Sequence, residues 1–194
     1  MDAGIRNPTL GAVLLRRQTL AYQAAFVLAG VALLSISAQV RFPLPFTPVP
    51  VTGQTFAVLF LGGSLGSRMG IASAGGYWIA GACGMPVFNG GSGGWAVASG
   101  ATGGYMLGFA AAAFAVGWFA ERGWNRGRGI VVPLLVGEAL IYVFGLPWLA
   151  LFVGPRHVLQ SGLLPFIPGD LVKIAAVTAA LPGGWSAMKR FGIR

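Results

Sequence analysis

Charge is what this 194-residue sequence has least of: Asp, Glu, Lys and Arg together make up 9% of it, against about 25% in soluble domains. A soluble enzyme needs a polar surface, and too few charged residues are present to make one. Acidic residues are scarcer still, four against thirteen basic, for a net charge of +9. There is one cysteine, Cys83, which excludes a disulfide-stapled module and reads as a small buried apolar residue. One histidine, His157, and four scattered carboxylates give no metal-ligand cluster, so His157 reads as a loop residue. No G-x-x-x-x-G-K-[ST] loop occurs: Lys173 is followed by Ile174, and Lys189 by Arg190. The glycine-rich run at 90–94 precedes no basic residue. No G-x-S-x-G elbow is present, which gives an intramembrane serine protease little support, and no nucleophile–base pair stands out for another enzyme. No internal repeat is visible. The first apolar stretch is too long for a signal-peptide core and is followed by no small-residue cleavage site.

What is abundant is apolar: 56% of residues are hydrophobic and 32 are glycine. A disordered basic tail would be poor in such residues. What remains is an all-α integral membrane protein. The strands of a barrel would alternate apolar and polar residues. Charge-free intervals place the spans, since a helix needs roughly 20 apolar residues to cross a ~30 Å core. Six transmembrane helices are expected, at about 18–40, 51–66, 70–84, 102–120, 130–152 and 169–188, in a single transmembrane domain, 1–194. The second is short, because the proline-rich stretch 42–50 before it cannot be helical. The longest charged segment is 121–129.

Six crossings put both termini on one side. Arg6, Arg16, Arg17, Arg68, Arg122, Arg126, Arg128, Lys189, Arg190 and Arg194 then share that side, while the opposite loops hold Arg41 and Arg156. Short cytoplasmic loops retain Lys and Arg, so both termini are expected in the cytoplasm of a multi-pass protein. The positive charge then faces the anionic lipid of the bilayer, not nucleic acid.

Four features converge near the outer helix ends. Asp170 and Lys173 stand at i, i+3 on one face of the sixth helix, with Asp170 where the macrodipole favours an anion. Ionisable residues inside a bilayer usually face a cavity or a partner; a structural ion pair with an N-cap is the other reading. Asn89, in the run PVFNGGSGG, offers both a donor and an acceptor, in a stretch equally fit for a plain turn. Gln54, Tyr105 and Tyr142 form a polar and aromatic set, although tyrosines near an interface also serve as anchors. The segment 42–50 carries four prolines and is stiff and extended, either as a lid or as a rigid connector. On the first helix, Ala21, Ala25 and Ala29 form a small-residue stripe suited to close helix packing, within the bundle or against a partner.

Five segments in this order, PFTPVPVTGQTFAVLFLG (45–62), GMPVFNGGSGG (84–94), TGGYMLGF (102–109), IYVFGLPWL (141–149) and PFIPGDLVK (165–173), are similar to the BioY family, the biotin-binding substrate (S) components of energy-coupling factor (ECF) transporters. The resemblance runs over nearly the whole chain. It implies an S-component-like bundle in a bacterial inner membrane that takes biotin from outside. It also implies an ECF transmembrane coupling subunit and two ATPase subunits as partners, with ATP used by those partners and no cofactor in this chain. By similarity, Gln54, Asn89, Tyr105, Tyr142, Asp170 and Lys173 line the biotin pocket, Phe46, Thr47, Pro48 and Val49 form its lid, and the alanine stripe docks the coupling subunit. Glu138 departs from the expected pattern, about nine residues into the fifth helix, with a basic neighbour or a proton as its alternatives. The residue types suit biotin: Asp170 and Asn89 for the ureido group, aromatics for the ring and chain. Lys173 is the first candidate for the carboxylate, with Arg41 or Arg156 next should Asp170 occupy it. The alternative reading is a stand-alone secondary transporter or channel for a small solute, using Glu138, Asp170 and Lys173.

Overall fold

Apolar segments that must satisfy their own backbone hydrogen bonds form helices, and helices make up most of the chain. The computed structural model describes Thr9 and residues 19–124 and 127–190, the side chains of 127, 128 and 183–190 excepted. Helix α1 (Leu20–Gln39) runs into a two-stranded hairpin, β1 (Arg41–Phe42) and β2 (Val51–Thr52). Arg41 stands opposite Thr52 and Phe42 opposite Val51. Helices α2 (Gln54–Leu65) and α3 (Ser67–Ala82) follow, separated by Gly66 at φ +88. The next connection holds a 3-10 turn at Asn89–Gly91 and the short α4 (Trp95–Ala98). Helix α5 (Gly103–Phe119) continues into a π-turn at Ala120–Trp124. Helices α6 (Val131–Val153), α7 (Val158–Gly162) and α8 (Ile167–Arg190) complete the order.

Among the described residues, four helical segments are long and apolar enough to cross a membrane: Leu20–Gln39, Gly103–Trp124, Val131–Val153 and Val158–Pro182. Helix α2 has 12 residues, about 18 Å at 1.5 Å per residue. Its start is corrected from 51 to Gln54, because Val51 and Thr52 pair with Phe42 and Arg41 of β1 in the hairpin. Cys83 is exposed, not buried as its residue type led one to expect. It caps α3, and the chain turns away at Gly84, φ +99.

Helix α5 stands at the centre, against α2, α3 and α6; α8 leans on α2 and α6, and α1 covers α3 and α2. Small residues permit these approaches. A Cβ on Gly108 would lie 2.8 Å from the Ile141 Cα, and one on Gly62 would lie 2.7 Å from the Ala113 carbonyl oxygen. The interior is apolar in two clusters. One surrounds the hairpin end of the bundle, with Leu34, Tyr77, Phe88, Tyr105, Phe109 and Phe166. The other fills the opposite half, with Leu59, Val116, Leu134, Val177 and Leu181. At that opposite end Glu121 accepts hydrogen bonds from the Ser67 N–H (2.7 Å) and hydroxyl (2.8 Å), fixing the start of α3. Arg68 and Arg122 are exposed there. Of the other basic residues placed on that side by the sequence, Arg6, Arg16, Arg17, Arg126 and Arg194 lie outside the described residues, as do the side chains of Arg128, Lys189 and Arg190. The outside of the bundle carries large apolar side chains, among them Leu20, Leu28, Val143, Leu151 and Val172. A surface this apolar calls for lipid as its solvent.

Candidate functional site

The hairpin ends where α2 begins, and this brings Gln54 to the top of the bundle interior. Gln54 is buried and hydrogen-bonded through both its amide oxygen and its amide nitrogen. The Thr52 hydroxyl donates to its Oε1 (2.9 Å), and its own Nε2 donates to the Tyr77 hydroxyl (2.8 Å). Tyr77 in turn meets Phe88 edge to face. Phe88 leads into the 3-10 turn that carries Asn89, and the end of α1 clamps this turn. Gln39 Nε2 donates to the Phe88 carbonyl (3.1 Å), and the Gly91 N–H donates to Gln39 Oε1 (3.0 Å). Among the described residues the side-chain amide of Asn89 makes no hydrogen bond; its main-chain carbonyl accepts from the Ser92 hydroxyl.

Three helices supply the other wall. Tyr105 of α5 donates to the Gly162 carbonyl (2.9 Å) and meets Tyr142 of α6 edge to face. The Tyr142 hydroxyl donates to Asp170 Oδ2. Lys173 Nζ reaches Asp170 Oδ1 at 3.1 Å. Asp170 sits in the first turn of α8, where the helix dipole favours a carboxylate. Its side chain is 6% exposed and that of Lys173 15%, so this is a largely desolvated Tyr–Asp–Lys network held by two helices.

These groups line one open-mouthed pocket. Gln54, Asn89, Tyr105, Tyr142, Asp170 and Lys173 all lie on its wall. Much of the remaining lining is apolar: Val49, Met106, Phe109, Ile141 and Phe166. Of the four residues expected as a lid, Val49 alone lines the pocket; Phe46 and Pro48 are exposed. Thr47 ties the segment down, donating to the Ser161 carbonyl at 2.6 Å and accepting from the Val49 N–H at 3.2 Å.

Two of the lining residues outside the expected set carry unpartnered polar groups. Glu138 is 93% buried by its 7% exposure, and neither carboxyl oxygen has a hydrogen-bond partner among the described residues. It lies close enough to Asp170 and Lys173 to interact with both electrostatically. The signal was in the sequence: Glu138 precedes Tyr142 by one helical turn and so shares its face. The Thr55 hydroxyl is likewise buried and unpartnered; nothing in its flanking residues marks it. No group of three or more His, Cys, Asp or Glu that could hold a metal comes together among the described residues. Far from the pocket, Ala21, Ala25 and Ala29 are exposed on α1, while Gly30, Leu34 and Ala38 bury its other side.

Helices of membrane-crossing length, an apolar exterior, and a pocket with polar groups set in apolar walls define a membrane protein built around a site for a small amphipathic solute. The BioY family model matches residues 11–190, and the chain belongs to that family. Over 155 residues it is 41% identical to a protein of Pyrococcus horikoshii named probable biotin transporter BioY, covering 80% of this chain and 91% of that one. Over 149 residues it is 36% identical to the biotin transporter BioY of Rhizobium etli, covering 72% of this chain and 79% of the relative. Among solved structures, it resembles the 2.1 Å crystal structure of the S-component for biotin from an ECF-type ABC transporter. The TM-score is 0.75 and the identity 26%, over 84% of this chain and 89% of that chain.

Proposed function

We propose that this chain is a biotin-binding S component of an ECF-type transporter, a capture protein and not an enzyme. The observation that carries the reading is the pocket's division of polar groups. Gln54, Tyr105 and the Tyr142–Asp170–Lys173 network are held by the fold's own hydrogen bonds. Glu138, Thr55 and the Asn89 amide face the same space with capacity left over. A ureido group has two N–H donors and one carbonyl acceptor. The Glu138 and Asp170 carboxylates supply acceptors, Asn89 and Thr55 supply both kinds, and Phe109, Ile141 and Phe166 suit an apolar ring and chain.

On this reading residues 1–194 form one transmembrane domain of six crossings, α1, α2, α3, α5, α6 and α8, with the short α2 prolonged by the hairpin. Both termini lie in the cytoplasm and the pocket opens outward from the inner membrane. Val49 covers the pocket, with Thr47 bound to Ser161 as its latch. The exposed alanine stripe of α1 meets the ECF transmembrane coupling subunit, small residues allowing close helix contact. Two ATPase subunits supply the ATP-driven step.

Labelled biotin titrated onto the detergent-purified chain, without ATP and with desthiobiotin and lipoate as competitors, tests this. Saturable binding that desthiobiotin, which keeps the ureido group, displaces better than lipoate is expected. No binding, or equal displacement by both, contradicts it. The three ionisable groups on the pocket wall, Glu138, Asp170 and Lys173, also suit a stand-alone carrier. Biotin accumulation driven by a proton gradient in vesicles holding this chain alone would favour that second reading.

A further inference from the structure

A cation is the strongest partner for a solute's carboxylate, and the pocket wall offers only Lys173. Lys173 is already committed to Asp170 at 3.1 Å, the one ion pair among the described residues. The pocket wall therefore holds two carboxyl groups, Glu138 and Asp170, against one ammonium, which leaves no free cation there for a further carboxylate.

The rim differs. Arg41 is exposed on β1, directly opposite Thr52, a lining residue. Its guanidinium rests on the backbone of Gly90, the neighbour of Asn89. A Cβ at Gly90 would fall 2.5 Å from Nη1 and 2.7 Å from Cζ of Arg41. Gly90 adopts φ +70, so the turn and the seat for the guanidinium both depend on its missing side chain. The turn itself is clamped by Gln39, so the guanidinium lies on a fixed floor between two lining residues. Among the described residues Arg41 has no carboxylate partner: Glu121 is at the far end, and Glu138 and Asp170 lie on the pocket wall. Arg156 and His157, the other basic groups near this end, precede α7, are exposed and do not line the pocket.

We propose that Arg41 is the specificity residue for the solute's carboxylate, held at the mouth beside Asn89 while the ureido head enters first toward Glu138 and Asp170. A guanidinium fork matches a carboxylate with two parallel hydrogen bonds. This assignment rests on the biotin reading above and adds to it a polarity of binding, head inward and acid outward.

The test compares biotin with biotin methyl ester, whose acid is masked, on wild-type protein, Arg41→Gln and Arg41→Lys. Wild type should prefer biotin. Arg41→Gln should raise the Kd for biotin about tenfold, the effect of losing one charge-assisted hydrogen-bond pair, and leave the Kd for the ester unchanged. Arg41→Lys should fall between. Unaltered ester binding doubles as proof of folding. If biotin and ester shift together, as they would were Arg41 only an anchor for lipid headgroups, or if neither shifts, the assignment is overturned while the biotin reading stands. A wild-type chain that binds neither compound overturns both.

Discussion

Gln54 and Asn89 are both neutral amides on the same pocket wall, and the fold treats them oppositely. Gln54 is buried and bonded to Thr52 and Tyr77, so it holds the top of α2 to α3. The Asn89 amide is bonded to nothing described. The two should therefore separate stability from affinity. Asn89→Ala is expected to weaken biotin binding by about 1–3 kcal/mol, the cost of an unpaired polar group in the complex, with no change in melting temperature. Gln54→Leu is expected to lower the melting temperature, because it strands the Tyr77 hydroxyl. Binding titrations and fluorescence-detected melting of both variants check this. Asn89→Ala with wild-type affinity would place the ligand elsewhere. At this scale the sequence was legible where chemistry is rare: Asp170 and Lys173 stood out as charges within an apolar stretch, and Asn89 as a polar residue among glycines. It was illegible where the meaning of a residue depends on a distant neighbour. Thr55 is one hydroxyl in an apolar helix until Glu138 and Asn89 are brought across from it, and the Phe88 and Phe166 walls belong to connections whose course no periodicity fixes.

At the scale of elements, the bundle depends on close backbone approach at small residues rather than on burial of apolar area, since lipid is as apolar as the interior. Gly108 of α5 meets the backbone of Ile141 on α6, the same turn of α6 that presents Glu138 and Tyr142 to the pocket. Gly108→Val must push these helices apart and should cost about 1–3 kcal/mol, as overpacking does. Melting in detergent should show the loss, whereas Leu107→Val, at an exposed position one residue away, should leave the transition in place. Equal melting of the two variants would contradict the close-contact account. The long helices were readable from uninterrupted apolar runs between charges, and α1, α5 and α6 end within two residues of their expected bounds. The start of α2 was not. Val51 and Thr52 are apolar enough to continue a helix, and only their pairing with Phe42 and Arg41 pulls them into a hairpin. The burial of Cys83 was misjudged for a related reason: residue type says little about a helix end that faces outward.

For the whole molecule, asymmetry is the organising fact. One end carries the hairpin, the Asn89 turn, α7 and the pocket; the other is closed by apolar packing around Leu134 and Leu181 and by the Glu121 cap on Ser67. A solute entering from the pocket end meets no continuous path onward, which fits capture followed by a partner-driven change rather than conduction. Ala21, Ala25 and Ala29 are exposed on α1, which supplies none of the pocket's lining residues; in the proposed function this stripe is the surface for that partner. The central claim is that the pocket among α2, α3, α5, α6 and α8 is where biotin sits. The most direct measurement is an experimental structure of the chain purified with biotin. The account predicts density for the ureido ring against Glu138 and Asp170, with Phe109 and Phe166 flanking the ring and chain. Biotin at any other place, or a pocket filled by the bundle's own side chains while biotin is bound, would contradict it.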